Sequence, residues 1–252
     1  MPSQVRLNNI SYSFEDEELF NGVNFTIEPG TSVFVLGKSG SGKSTLLEIC
    51  AGLKGPTAGE VYWDGRDINS FSKSEKAVFG RKVGFVFQQH ALISNMTVYD
   101  NLALPLRYHR ELSEREVDDI IQAHLAEYAV DELQRKLPEA LSIGQSRIVA
   151  IARALIMKPE LLFLDEPISG LDPIMARRIF SILLELHEQS NLTILIVNHT
   201  INLIERMQSP ILFLHNHRVT SYENLDTLRT EEQAVDFIQY MGKSRPAGQE
   251  QG

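Results

Sequence analysis

The chain is poor in cysteine and in basic residues, and it has no long apolar run. With one cysteine, Cys50, in 252 residues, an intramolecular disulfide framework is excluded, and the compartment expected for such a chain is a reducing one. Lys and Arg number 24 against 33 Asp and Glu, a formal net charge of −9. That balance excludes a broad basic surface for nucleic acid or anionic lipid. No apolar stretch approaches the roughly 18–20 residues of a spanning helix, and the polar opening Met1-Pro2-Ser3-Gln4 lacks a signal-peptide core. Any membrane attachment is therefore expected to come through partners. Internal repeats and long low-complexity inserts are absent too, and 43% hydrophobic content suits one sizeable core or two small ones.

What is present is a set of phosphate-binding and carboxylate motifs in order. Gly37-Lys38-Ser39-Gly40-Ser41-Gly42-Lys43-Ser44-Thr45 fits G-x-x-x-x-G-K-[ST], a pattern that binds polyphosphate when a strand precedes it and a helix follows. The β-branched and apolar run Ser32 to Leu36 supplies the strand. Leu46, Ile49, Cys50 and Leu53 recur at helical spacing until Gly52 and Gly55-Pro56 stop the helix. Glycines let backbone N–H groups curl round phosphate oxygens, and the helix N-terminus adds partial positive charge. Lys43 is expected to reach the β- and γ-phosphates, and Ser44 to offer its hydroxyl to Mg²⁺. Downstream, a glycine turn in LSIGQ opens a helix. The apolar run Leu161 to Leu164 then delivers Asp165 and Glu166 at its carboxyl end, placing one acid near a metal and the next near a water.

Together these residues resemble the nucleotide-binding subunit of an ATP-binding cassette (ABC) transporter, over roughly residues 5 to 220. The resemblance implies a P-loop NTPase (RecA-like) α/β core with a parallel sheet, an antiparallel β subdomain and an all-α signature subdomain inserted at about 89–157. It implies that Phe14, in ISYSF, stacks on adenine, and that Gln88, in FVFQQ, joins the metal site to the membrane partner. It makes LSIGQ the signature, through Ser142, Gly144 and Gln145. Asp165 is then a metal ligand with Ser44 and Gln88, Glu166 polarises the attacking water, Asp172 in SGLD lies in a dimer-contacting loop, and His199 in IVNHT is the switch histidine. The other six histidines read as surface residues. The implied cofactors are ATP and Mg²⁺.

Two departures from the family pattern stand out. Ile143 occupies the place of a second signature glycine, where a β-branched side chain adds bulk and removes freedom at positive φ. The arginine that commonly follows the signature is replaced by Ile148, with Arg147 one place earlier.

The remaining elements follow from period and punctuation. Val5 to Leu7, Asn24 to Ile27 and Val61 to Trp63 read as strands of an antiparallel layer, with Pro29-Gly30 and Asp64-Gly65 as turns. Ser113 to Glu116 is a capping box that opens a helix with Val117, Ile120, Ile121, His124, Leu125 and Tyr128 on one face. Asp172-Pro173 is an N-cap with Pro at the first helical position; Ile179, Leu183 and Leu186 continue an apolar face, and Leu192 to Val197 resumes as strand. Strands alternating with helices imply a parallel sheet covered on both faces. Residues 1–225 are expected to form the ATPase domain. Within 226–252, Glu231 to Met241 is a short helix with Val235, Ile238 and Met241 aligned, packing on its own domain or reaching a partner, and Ser244 to Gly252 is a disordered tail.

The segment QQHALISNMTVYDNLALPLRYHRELSEREV and the later LDPIM resemble the ATPases of Mla/Mce-type systems, which move phospholipids between bacterial membranes. The implied partners are a second copy of the chain, an integral membrane permease, a periplasmic lipid-binding MCE protein and a small cytoplasmic accessory protein, at the cytoplasmic face of the inner membrane. Nutrient import, lipoprotein export and a cell-division type signalling cassette stay open. A DNA-repair ATPase would carry a long coiled coil or paired cysteines between P-loop and signature, and a ribosome-associated one normally carries two cassettes; this chain has neither feature.

Overall fold

The computed structural model describes residues 3–15, 17–89, 91–109, 112–188 and 192–243. Its elements run β1 (Val5–Phe14), β2 (Glu17–Ile27), β3 (Ser32–Gly37), α1 (Lys43–Cys50), β4 (Ala58–Trp63), β5 (Arg66–Asp67), α2 (Lys73–Gly80) and β6 (Val83–Val86). There follow α3 (Val98–His109), α4 (Glu114–Glu127), α5 (Ile143–Leu155), β7 (Leu161–Asp165), α6 (Pro173–Glu188) and β8 (Thr193–Val197). The chain continues through α7 (Ile201–Met207), β9 (Ile211–His215), β10 (Arg218–Tyr222), α8 (Leu225–Arg229) and α9 (Glu232–Lys243).

Two sheets form. One is antiparallel, in the order β2-β1-β4-β5, and the other has six strands in the order β10-β9-β3-β8-β7-β6. In the larger sheet β9, β3, β8, β7 and β6 are parallel, and only β10 runs antiparallel, at the edge. The parallel sheet expected from the sequence thus forms, with one hairpin added at its edge: β9 and β10 are joined by Asn216 and His217, both at positive φ, the backbone of a tight hairpin turn.

Because side chains alternate across a strand, the central strands serve two cores at once. Val33, Val35, Phe163, Leu195 and Val197 face α1 and the antiparallel sheet, where Leu46, Leu47, Ile49 and Cys50 pack with Val5, Ile10, Phe20 and Trp63. Phe34, Leu36, Leu162, Leu164, Ile194 and Ile196 face the helices on the other side. Helix α1 is therefore wedged between two sheets. Trp63 Nε1 donates to the Cys50 carbonyl at 2.9 Å, and burial pushes the Cys50 thiol up to about 12. Maleimide at neutral pH should leave Cys50 unlabelled in the folded chain and label it in denaturant; labelling of the native chain would contradict this packing.

The capping box at Ser113 and the N-cap at Asp172 behave as their sequences imply. Ser113 exchanges hydrogen bonds with Glu116, and Asp172 Oδ1 accepts from the N–H groups of Ile174 and Met175 at 3.0 and 3.1 Å. Several finer expectations are corrected. Helix α1 ends at Cys50, so Leu53 lies beyond it and is 57% exposed rather than on its apolar face. Strands β1 and β2 are longer than the short runs expected, since each pairs along a hairpin whose outer face is polar. In α9 Met241 is buried and Ile238 packs half-buried against the same core, as expected, but Val235 is exposed, and Ala234 and Phe237 are buried instead. Two of the histidines read as surface residues are packed: His124 Nε2 lies 2.8 Å from the Ala152 carbonyl, and His187 Nδ1 lies 2.8 Å from Ser32 Oγ. His90 and the tail Ser244 to Gly252 lie outside the described residues.

Candidate functional site

The site lies at the carboxyl ends of β3, β7 and β8, where parallel strands release their chains into loops. After β3 the backbone turns on Gly37, at φ 152°, and a Cβ there would meet the Leu214 carbonyl at 2.6 Å. Gly42, at φ 94°, precedes α1, and a Cβ there would press on the Phe20 ring at 3.2 Å. Only glycine fits both constraints. Between them Lys38, Ser39 and Gly40 form an exposed rim, and Ser41 Oγ is buried without a hydrogen-bond partner. Ser44 and Thr45 begin the helix. Lys43, 7% exposed, folds back over the loop and donates to the carbonyls of Gly37 at 2.9 Å and Lys38 at 2.8 Å. Two of its three N–H donors are thereby used.

Strand β7 carries Asp165 into the sheet's end, paired with Val197 of β8. Glu166 then turns left-handed, φ 48°, with its N–H held by the Val197 carbonyl at 2.9 Å. This turn aims consecutive carboxylates in different directions. Gln88, two residues past β6, donates from Nε2 to Glu166 Oε2 at 3.2 Å, and His199 Nε2 stands 3.8 Å from Glu166 Oε1. Lys43, Ser44, Gln88, Asp165, Glu166 and His199 thus converge, although they come from four separate stretches of chain.

Burial sets the electrostatics. Desolvation lowers the Lys43 ammonium, with Glu166 and Asp165 opposing. Desolvation raises the Asp165 carboxyl; the Ser44 hydroxyl and Lys43 pull it down, and Glu166 pushes it further up. His199 is lowered by desolvation and by Lys43, against Glu166, so its imidazole is neutral at physiological pH. Asp165 Oδ1, Asn198 Nδ2 and His199 Nδ1 are buried without hydrogen-bond partners, polarity that the protein alone does not satisfy.

A divalent cation fits this donor set. No group of three or more His, Cys, Asp or Glu that could hold a metal occurs among the described residues, so a dedicated all-protein cage is not built. Ser44, Gln88 and the orphaned Asp165 carboxylate instead offer few oxygen ligands, the pattern Mg²⁺ takes when substrate phosphates and waters complete its shell.

Asp165 carries a testable cost. Its folded carboxyl lies above the unfolded value of 3.8, so the stability it lends is present below that value and lost as pH rises through the folded one. At neutral pH the charge is a burden, and Asp165→Asn should raise the melting temperature of the nucleotide-free chain. The gain should shrink on acidification. Thermal denaturation at both pH values checks it; an unchanged or lower melting point at neutral pH would contradict it.

The remaining motif residues are not joined to this cluster by any hydrogen bond or ion pair among the described residues. Phe14 ends β1 and is 61% exposed, and Asp172 caps α6. Ser142 caps α5: it accepts from the Gln145 N–H at 3.2 Å, and Gln145 reaches back to the Ser142 N–H at 3.0 Å. Gly144 is buried, and a Cβ there would meet Met175 side-chain atoms at 2.7–2.9 Å, so this glycine lets α5 approach α6. Ile143 stands 61% exposed beside them. Sequence reasoning missed one capping box and two neighbours of the cluster. The S-x-x-Q spacing could have shown the Ser142 box, and the displaced Arg147 is 3% exposed, its guanidinium donating to the Phe87 carbonyl at 3.3 Å. Phe237, on α9, meets the His199 ring with centroids 5.8 Å apart at 69°, and no local signal marks it.

Known proteins match this arrangement. A family profile described as "ABC transporter" covers residues 20–169. The chain is 32% identical, over 93% of its length, to the probable ribonucleotide transport ATP-binding protein mkl of Mycobacterium tuberculosis. It spans 66% of that relative, which is the longer protein. It is 37% identical over 90% of its length to the methionine import ATP-binding protein MetN 2 of Pseudomonas entomophila, spanning 74% of it. Among solved structures, the dimeric post-hydrolysis ATP-binding cassette MJ0796 bound to ADP and Pi superposes with a TM-score of 0.78 at 34% identity, covering 86% of this chain and 97% of that one. A profile across more than half of the chain, relatives above 30% identity and a shared cassette fold agree: the chain belongs to the ABC transporter family, as one of its ATP-binding ATPase cassettes.

Proposed function

We propose that two copies of this chain close around two molecules of MgATP and hydrolyse them to drive a membrane permease. The observation that carries the reading is the meeting of Lys43, Ser44, Gln88, Asp165, Glu166 and His199 at one end of the sheet. In each site the loop from Gly37 to Thr45 wraps the phosphates with main-chain N–H groups, and Lys43 adds its remaining donor to the β- and γ-phosphates. Ser44, Gln88 and Asp165 would hold Mg²⁺, which would supply positive charge beside the phosphates when bound. Glu166 accepts the proton of the attacking water, Gln88 fixes the position of that carboxylate, and His199 presents a neutral imidazole beside it. Phe14 stacks on the adenine. Ser142, Gly144, Gln145 and Asp172 lie apart from their own chain's cluster, and the second copy supplies them across the interface. The solved MJ0796 cassette is itself described as a dimer bound to ADP and Pi.

No helix among the described residues is long and apolar enough to cross a membrane. The permease partner is expected to seat against the segment after Gln88, at the cytoplasmic face of the inner membrane. For cargo, the Mla/Mce-like insertion sequence favours phospholipid, with a periplasmic MCE protein and a small accessory protein in the assembly. The methionine import protein among the relatives favours a second reading, nutrient uptake. Affinity purification of the full chain from native membranes separates the two. A multi-spanning permease with a periplasmic lipid-binding protein is the expected yield, whereas a soluble amino-acid-binding protein would replace lipid trafficking by nutrient import.

A further inference from the structure

We infer that Phe237, on the C-terminal helix α9, is a positioning residue for His199 and through it for Glu166. The inference rests on the hydrolytic reading above, and it concerns a part of the chain beyond residues 20–169, which the family profile matches.

His199 follows β8 and precedes α7, in a stretch that is neither strand nor helix. A catalytic imidazole is ordinarily oriented by a hydrogen bond on the nitrogen that faces away from the reaction. Here that nitrogen, Nδ1, is buried and has no hydrogen-bond partner. Nothing polar fixes the ring, so packing must. The ring that packs on it is Phe237, edge-to-face at 5.8 Å and 69°, a geometry favoured by aromatic quadrupoles. Phe237 is itself clamped: it is 5% exposed and lies 5.3 Å from the Phe213 ring on β9. Helix α9 is anchored through Ala234 and Met241 to the core that also holds Leu225 and Leu228 of α8.

The distance on the reactive side makes this packing matter. His199 Nε2 is 3.8 Å from Glu166 Oε1, longer than a hydrogen bond. A small rotation of the imidazole decides whether that gap closes, and Phe237 sets the rotation.

The test is a double-mutant cycle on the full chain, reading kcat and KM for Mg²⁺-dependent ATP turnover. Phe237→Ala should lower kcat about 5–10-fold with KM within about twofold. Phe237→Tyr, which keeps the ring, should restore kcat to within about twofold, and Met241→Ala, which loosens the same helix, should stay in that range as well. In a His199→Ala background, Phe237→Ala should cost nothing further. Equal losses in both backgrounds, or a Met241→Ala loss matching that of Phe237→Ala, would reduce Phe237 to a packing residue and overturn the inference while leaving hydrolysis intact. A parent chain without Glu166-dependent turnover would instead remove the hydrolytic reading, and this inference with it.

Discussion

Glu166→Gln should retain nucleotide between closed protomers while phosphate release falls at least ~10²–10³-fold, a loss of about 3–4 kcal/mol in transition-state stabilisation. The amide has the size of the carboxylate, so the left-handed turn at φ 48° and the packing around it are undisturbed. It can still accept from Gln88 Nε2, which lies 3.2 Å from Glu166 Oε2. What is lost is the proton acceptor. The substitution also takes one negative charge away from the neighbourhood of Asp165, whose carboxyl Glu166 pushes up. Less repulsion should then oppose the approach of a polyphosphate, and the variant's dimer should be longer-lived than the parent's. Single-turnover phosphate release and light scattering in saturating MgATP check both parts. Residual turnover within about tenfold of the parent would assign the base elsewhere.

Lys43→Ala should weaken ATP binding by ~100-fold or more, about 3 kcal/mol. The reason is partly direct and partly local. The ammonium is held almost out of water, unlike that of the exposed Lys38, and there an ion contact is worth more than at the surface. Its bonds to the carbonyls of Gly37 and Lys38 also pin the loop in the curl that presents N–H groups outward. Alanine removes the charge and releases the curl. Lys43→Arg should not restore affinity, because a planar guanidinium cannot take the place of a compact ammonium between two carbonyls. Titration with a fluorescent nucleotide reads the loss, and retained affinity in Lys43→Ala would show that the loop's backbone suffices.

The P-loop and the Asp165-Glu166 pair are legible in sequence because their signals are local: a strand, a turn and a helix start follow one another within one window. The same holds for the helix caps at Ser113 and Asp172, where one side chain meets N–H groups two or three residues on. Less was legible wherever the outcome depends on which surface comes to rest against which. The period of α9 predicts an apolar stripe, yet whether Val235 or Phe237 lies inside it is settled by the Phe213 ring it docks on. His124 and His187 look polar in isolation, and each becomes interior because a distant carbonyl or hydroxyl waits for its nitrogen. Gly144 reads as a ligand-facing glycine of the signature; that a Cβ there would strike Met175 is a fact about two helices crossing. The contact between Phe237 and His199 joins segments with no common pattern, and sequence spacing carries no trace of it.

Thr193, at the start of β8, bonds two other stretches of chain: its hydroxyl accepts from the Gly30 N–H at 2.9 Å and donates to the Ser3 carbonyl at 2.8 Å. With α1 filling the space between the two sheets, these bonds tie the chain just before β1 to that just before β3 and to the first residue of β8. The antiparallel and parallel sheets are thereby stitched together at the ends of β3 and β8 that lie away from the phosphate loop.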